Sequence, residues 1–252
     1  MREEDANWSI GQGRKAVAGR VVVAIPTLNE EASIGEVVRS IPRDVVGRVI
    51  VADGGSRDGT RARATAAGAD VIEAGRGYGR ACLAAAEAAA PGDILVFMDG
   101  DGADDPASIT ALAEPIRAGA FDFVIGSRAR GEREAGSIAW HQIAAGLVAG
   151  YGMRLLYGVR YTDMCAFRAI PRDLLLTLGM QEMTYGWNIE MQMRAARAGF
   201  RILEIPVPYR CRTGGYSKVA GSLGGTIRAG TRIIGTFVRV SAQPAPARVA
   251  SR

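Results

Sequence analysis

The sequence predicts an α/β fold with a mainly parallel sheet flanked by helices. Three observations carry this prediction. Short apolar runs of strand length alternate with segments of helical composition from residue 21 onward. The runs are apolar at consecutive rather than alternate positions, which marks strands buried on both faces. Several of them end in polar, glycine-containing segments, at the strand ends where open α/β sheets bind ligands.

In chain order, Val21–Ile25 reads as a strand and Glu31–Ser40 as a helix. Arg48–Ala52 is a strand, Asp58–Ala67 a helix, Ala69–Ile72 a short strand and Tyr78–Ala90 an alanine-rich helix. Ile94–Met98 is a strand, Pro106–Ala118 a helix with proline in its first turn, and Phe121–Ile125 a strand. This rhythm is that of a parallel sheet. The second half departs from it. Ile138–Tyr157 is a Gly/Ala-rich apolar helix, Met164–Ile170 an edge strand, and Trp187–Ala198 a helix stopped by Gly199. Arg201–Ile205 and Val207–Cys211 are strand-like, and Ser222–Val240 is a final helix. No polar linker separates the halves, so residues 20–240 read as a single domain with a C-terminal elaboration. Residues 1–19 and 241–252 read as disordered tails.

The 252 residues, 48% of them apolar, suffice for a sizeable core. A net charge of +5 fits anionic partners such as nucleotides, phosphosugars or an acidic membrane face, and equally a mildly basic soluble protein. The arginines are spread along the chain in no zinc-finger or basic-helix pattern, which argues against nucleic acid. Cys82, Cys165 and Cys211 are odd in number and lack zinc spacing, as expected in a reducing compartment. A single histidine, His141, excludes multi-histidine metal sites and counts against a Ser-His-Asp triad. No apolar segment of the signal-peptide kind opens the chain. The uncharged stretch Ile138–Met153 falls short of the roughly 20 residues a bilayer span needs. A cytoplasmic location is expected, with peripheral contact at the inner face of the membrane left open.

The run Ile94-Leu95-Val96-Phe97-Met98 ends in Asp99-Gly100-Asp101. Alternate residues of an extended chain point the same way, so both acids can face one ion. Two such carboxylates repel unless a cation lies between them. The pattern points to a divalent metal holding phosphate oxygens, and an all-oxygen site suits Mg or Mn. The first strand runs into Pro26-Thr27-Leu28-Asn29-Glu30-Glu31, where Pro26 and Thr27 shape the loop. Asn29 is a helix cap or a ligand contact, and Glu30 faces a nucleobase or is an exposed first-turn acid. The second strand runs into Asp53-Gly54-Gly55-Ser56-Arg57-Asp58-Gly59-Thr60. Asp53 is assigned to a base or ribose and Asp58 to capping. Gly75-Arg76-Gly77-Tyr78-Gly79-Arg80 looks like a dinucleotide fingerprint, but it follows the third strand with the wrong spacing. Its glycines permit close backbone approach, and Arg76 is placed at phosphate.

With Gly126-Ser127-Arg128, these motifs resemble the family 2 glycosyltransferases, above all the dolichyl- and polyprenyl-phosphate mannosyl and glucosyl synthases. The resemblance covers roughly residues 20–220 and implies a GT-A fold, a nucleotide-sugar donor, a divalent metal and inversion at the anomeric carbon. It implies Asp53 at the nucleoside, Asp99 and Asp101 at metal and diphosphate, and Arg128 near phosphate or sugar. Gly54 stands where many relatives carry a second acid. Tyr161-Thr162-Asp163-Met164-Cys165-Ala166-Phe167-Arg168 resembles the family's Asp…Gly-Phe-Arg segment, with Ala166 in place of glycine. Asp163 and Arg168 form a structural ion pair or contact the acceptor. Arg212-Thr213-Gly214-Gly215-Tyr216-Ser217-Lys218 resembles the Arg…Gly-x-Ser-Lys loop of the polyprenyl-phosphate branch. It is an anion clamp of Arg212, Ser217 and Lys218, or a basic surface turn. Glu190 is a base for an alcohol acceptor, a substrate contact or a first-turn acid; a phosphate acceptor needs no base.

In the final helix Leu223, Ile227, Ile234, Phe237 and Val238 share one face, and Arg228, Arg232 and Arg239 the other. That helix packs on a core or lies at an anionic membrane. The expectation is a metal-dependent inverting hexosyltransferase using a UDP- or GDP-sugar and a polyprenyl phosphate, with Asp101, Arg128 and Glu190 catalytic. A hydroxyl acceptor, or a lapsed enzyme that only binds nucleotide sugar, are the alternatives. A nucleotidyltransferase is disfavoured because Pro26–Glu31 is acidic and holds no glycine-rich basic loop. Oligomeric state has no signature in the sequence.

Overall fold

The computed structural model describes residues 16–213 and 223–243. Its first half alternates strand and helix as predicted: β1 (Val21–Thr27), α1 (Ile34–Ser40), β2 (Val46–Asp53), α2 (Thr60–Ala66), β3 (Asp70–Glu73), α3 (Tyr78–Ala88), β4 (Ile94–Phe97), α4 (Ile109–Arg117) and β5 (Phe123–Ser127). The second half holds α5 (Trp140–Tyr157), β6 (Arg168–Pro171), α6 (Arg172–Thr177), α7 (Trp187–Arg197), β7 (Ile202–Pro206) and α8 (Leu223–Ser241). β1 is buried at every position, as a central strand between two helical layers requires.

The seven strands form one sheet in the order β3-β2-β1-β4-β6-β5-β7. Every pairing is parallel except those of β6, which runs antiparallel between β4 and β5. Parallel strands all end at one edge of a sheet, and an antiparallel strand begins there. Thr27 is therefore level with Asp53, Phe97 with Arg168, and Ser127 with Pro206. The loops after β1, β2, β4, β5 and β7, and the segment leading into β6, converge on that edge.

Three predictions need correction. The strand expected at an edge is β6, which is central and fully buried. Its arginine, Arg168, is accommodated inside by the Asn188 and Cys165 carbonyls. Val207–Cys211 forms no strand; Tyr209 makes only single bridges to Asp104 and Arg133. The apolar face expected of α8 is divided: Phe237 packs inward beside Ala229 and Val240, while Ile234 and Val238 stand exposed, and the side chains of Leu223 and Ile227 lie outside the described residues. The unpredicted α6 follows β6 directly. Val17 donates to the Arg117 carbonyl at 3.0 Å, so the chain joins the fold before residue 20. At the other end α8 includes Ser241, and the Gln243 carbonyl accepts from Arg197 at 2.8 Å; the rest of the predicted tails, residues 1–15 and 244–252, lies outside the described residues, as do Ser217 and Lys218. Among the described residues no helix is long and apolar enough to cross a membrane.

Candidate active site

The turn after β4 lies against the end of β1. A Cβ on Gly100 would sit 2.9 Å from Thr27 Cγ2 and 3.3 Å from Ile25 Cγ2, so only glycine fits between the two acids. Ser33, at the start of α1, caps nothing; its hydroxyl donates to the Gly100 carbonyl at 2.7 Å. Gly102 adopts a left-handed φ of 82° and turns the chain back. Ala103 N–H then donates to Asp101 Oδ1 at 3.0 Å, and Asp99 N–H to Asp104 Oδ2 at 2.9 Å.

Three carboxylates thus crowd one turn. Burial and the Asp101 charge push the Asp99 carboxyl up to about 6. Burial and Asp99 raise Asp104 well above the ordinary range. The Tyr78 side chain, at the start of α3, works against the rise. The fingerprint-like segment therefore contributes a tyrosine to the acidic turn, with Arg76 exposed just before it. Sequence alone singles out neither Tyr78 nor Asp104; the second Gly at 102, two residues before another acid, was the available signal.

Cationic groups answer from the far half of the sheet. Arg212 Nη2 lies 3.0 Å from Asp101 Oδ2, and Thr213 N–H donates to the Asp101 carbonyl at 3.1 Å. Arg128, following β5, makes a two-point pair with Asp163 at 2.8 Å for each contact and packs 5.0 Å from the centre of the Tyr209 ring. Burial works to raise the Asp163 carboxyl, but the hydrogen bonds and charge of Arg128 outweigh it and hold it low. The Arg128 charge also reaches Asp99 and Asp104 and lowers both.

The loops after β1 and β2 are stitched together. Asn29 N–H donates to Ser56 Oγ at 2.8 Å, and Asn29 Oδ1 accepts from Arg57 N–H at 2.9 Å. Asn29 has a φ of 53°, a left-handed conformation asparagine tolerates better than most residues. Glu30 N–H donates to Thr60 Oγ1 at 2.8 Å. Pro26 and Thr27 close β1, and the Thr27 carbonyl accepts from Gly54 N–H at 2.8 Å. Asp53 is buried; its Oδ2 accepts from Gly55 N–H, Ser56 N–H and Arg61 Nε at 2.8–3.1 Å. It shares with Asp58 the turn-forming role that sequence assigned to Asp58 alone. A cavity of 390 Å³ opens beside these loops, lined by Asn29, Glu30, Glu31, Ala32, Asp58 and Arg63. Its lining excludes the acidic turn, so charge rather than concavity marks the chemistry.

Burial bears on two site assignments, and Glu190 is a first-turn acid of α7. Glu190 is fully buried: one carboxylate oxygen accepts from Gln181 and Glu182 N–H at 2.9 and 2.6 Å, the other from Arg194 and Arg239 at 2.9 and 3.3 Å. All its lone pairs are engaged, so it has none left for a substrate proton. Arg168 is also fully buried, donates to the Asn188 and Cys165 carbonyls, and packs 5.8 Å from the centre of the Phe123 ring. It does not pair with Asp163, whose partner is Arg128.

The acidic turn fits a divalent cation. It offers hard oxygen donors, and its three carboxylates outnumber the two cations, Arg212 and Arg128, that face them. Among the described residues no three His, Cys, Asp or Glu side chains form a closed metal cage. One or two carboxylates completed by substrate phosphates is the arrangement Mg and similar ions favour.

The model of glycosyl transferase family 2 matches residues 22–179. The chain belongs to this family. An uncharacterized glycosyltransferase of Mycobacterium tuberculosis is 36% identical over 212 residues, 83% of this chain and 94% of its own. The polyprenol monophosphomannose synthase of Mycolicibacterium smegmatis is 31% identical over 221 residues, 81% of this chain and 82% of its own. Glucosyl-3-phosphoglycerate synthase of Mycobacterium tuberculosis, solved with Mn2+, UDP and glucosyl-3-phosphoglycerate, superposes with a TM-score of 0.71 at 25% identity, over 90% of this chain and 81% of its own. That synthase has also been crystallised with Mg2+ and UDP. A family 2 glycosyltransferase with the GT-A sheet accounts for the edge on which these loops meet. In this glycosyltransferase the acidic turn sits at the centre of that edge, between the stitched loops of β1 and β2 and the cations after β5 and β7.

Proposed function

We propose that this glycosyltransferase moves a hexose from a UDP- or GDP-sugar to a polyprenyl phosphate with inversion at the anomeric carbon. The observation that carries the reading is the Asp99–Asp101–Asp104 turn opposed by Arg212 from the segment after β7. Asp99 and Asp101 would hold Mg or Mn, which supplies charge neutralisation for the departing nucleoside diphosphate. Asn29, Glu30 and Asp53, on the stitched loops, are placed at the nucleoside end with Pro26 and Thr27, and Arg76 at phosphate. Arg212 is the mobile cation: one third exposed, it can leave Asp101 for phosphate when donor arrives. Ser217 and Lys218 belong to the same acceptor-side clamp. Arg128, oriented by Asp163 and Tyr209, sets the local potential from beneath.

The acceptor oxygen bonds to the anomeric carbon as the bond to the diphosphate oxygen breaks, on the opposite face of the ring. A phosphate oxygen is already anionic at neutral pH and needs no base. The full engagement of Glu190 favours this acceptor over a hydroxyl, which would need one. The polyprenyl-phosphate relative supports the same choice. A cytoplasmic enzyme working at the inner membrane face follows from such a substrate.

The test is transfer from radiolabelled UDP- and GDP-sugars to a short-chain polyprenyl phosphate, with and without Mn2+. Metal-dependent transfer is expected, and Asp101→Ala should lower turnover at least about a hundredfold with the fold retained. Near-normal turnover in that variant, or donor binding without transfer, would refute the proposal.

A further inference from the structure

The large apolar side chains that stand exposed among the described residues all lie on α5 and α8. On α5, Trp140 is 80% exposed, Val148 73%, Tyr151 63% and Leu155 69%; on α8, Ile234 is 66% and Val238 60% exposed. The two helices are neighbours: a side chain on Gly152 would meet the Phe237 ring at 2.8 Å. Val148 and Leu155 flank Gly152 on α5, and Ile234 and Val238 flank Phe237 on α8, so exposed apolar residues stand on both sides of this contact, as at an interaction site. Its charge is one-sided. Neither helix contains Asp or Glu, while Arg154 and Arg232 on the helices and Arg160 just beyond α5 are exposed.

We propose that α5 and α8 form a docking face for an anionic lipid surface. Leu, Val and Ile side chains would enter the headgroup boundary, Trp140 and Tyr151 would lie at the polar–apolar border, and the arginines would meet lipid phosphates. Charge complementarity selects this partner: two copies of the face would bring the same cationic rims together, whereas anionic headgroups neutralise them. The face also adjoins the site. On the inner side of α5, a Cβ at Gly146 would lie 3.9 Å from Asp163 Oδ1, the acid that orients Arg128. A helix lying on lipid would thereby hold the Arg128 end of the site at the surface from which a lipid phosphate emerges. The purpose of the face rests on the acceptor proposed above; its geometry does not.

The test is flotation of the full chain with phosphatidylcholine vesicles, with and without phosphatidylglycerol. Wild type should float with the anionic vesicles and be partly released by salt. The double variant V148E/L155E should lower the bound fraction about tenfold. Its transfer to a short-chain polyprenyl phosphate in detergent should stay within about twofold of wild type, because these residues lie outside the site. If circular dichroism shows that variant misfolded, Arg154→Glu carries the test, with the same loss expected. Wild type that fails to float, folded variants that float equally well, or a solution dimer split by V148E/L155E would each overturn the proposal. Normal flotation without any transfer in detergent would uphold the docking face and refute the acceptor assignment.

Discussion

Arg212 Nη2 rests 3.0 Å from Asp101 Oδ2, tying the segment after β7 to the turn after β4. A guanidinium here holds one of the oxygens a metal would take. Removing it should therefore have opposite effects on metal binding and on catalysis. In Arg212→Ala, Mn2+ should bind the donor-free protein more tightly, by several-fold in calorimetry. Turnover should fall about a hundredfold, as expected when a cation facing the leaving diphosphate is lost. An unchanged rate would remove Arg212 from the mechanism.

The Asp99 carboxyl, pushed up to about 6 from an ordinary 3.8, gives metal binding a pH dependence. A cation takes the ionised form, so Mn2+ affinity should rise with pH through about 6 and level off above it. In Asp101→Asn the midpoint should move down, because one of the two raising causes is gone. Metal-free stability should run the other way. With the folded value raised, ionising Asp99 costs the native state, so the melting temperature of wild type relative to Asp99→Asn should decline between about 3.8 and about 6. Calorimetric titrations and melts across this range check both signs.

Asp163 and Arg128 make their two-point pair with side-chain exposures of 5% and 17%. Truncating one partner leaves an uncompensated charge. Asp163→Ala should cost about 3 kcal/mol in urea unfolding. Equal stability of variant and wild type would show that water reaches Arg128 freely.

Glu190 distinguishes a base from a buried connector. Glu190→Gln keeps the shape but weakens the bonds to Arg194 and Arg239, and the stability loss should be about 2–3 kcal/mol. Turnover of the folded variant on a phosphate acceptor should change less than tenfold. A collapse in rate with full stability would reinstate Glu190 as a catalytic base.

Ser33 bonds the Gly100 carbonyl from inside the core. Ser33→Ala should cost about 1–3 kcal/mol by leaving that carbonyl unpaired. It should also weaken metal binding, since the carbonyl belongs to the residue between the two acids. Calorimetry on the variant would detect both effects.

The alternation of apolar runs and helices made the first half of the fold legible, because each parallel strand is buried on both faces and carries its own signal. Asp99-Gly100-Asp101 was legible for the same reason: acids directly after a buried strand stand out. β6 was misplaced because a strand's position in a sheet depends on which strands pair with it, and its partners β4 and β5 lie far away in the sequence. The outward turn of Ile234 and Val238 was hidden because periodicity gives a helix's faces but not which one meets the core.

Local sequence by itself determined the sheet class, the strand ends and the chemical type of the loops, since these depend on near neighbours in the chain. Tertiary structure decided which charge answers which. It gave Asp163 to Arg128 and Asp101 to Arg212, and it closed Glu190 inside four donors. These partners lie far from the acids in sequence or come from more than one element, and electrostatic energy depends on distance in space, which only the packed sheet fixes.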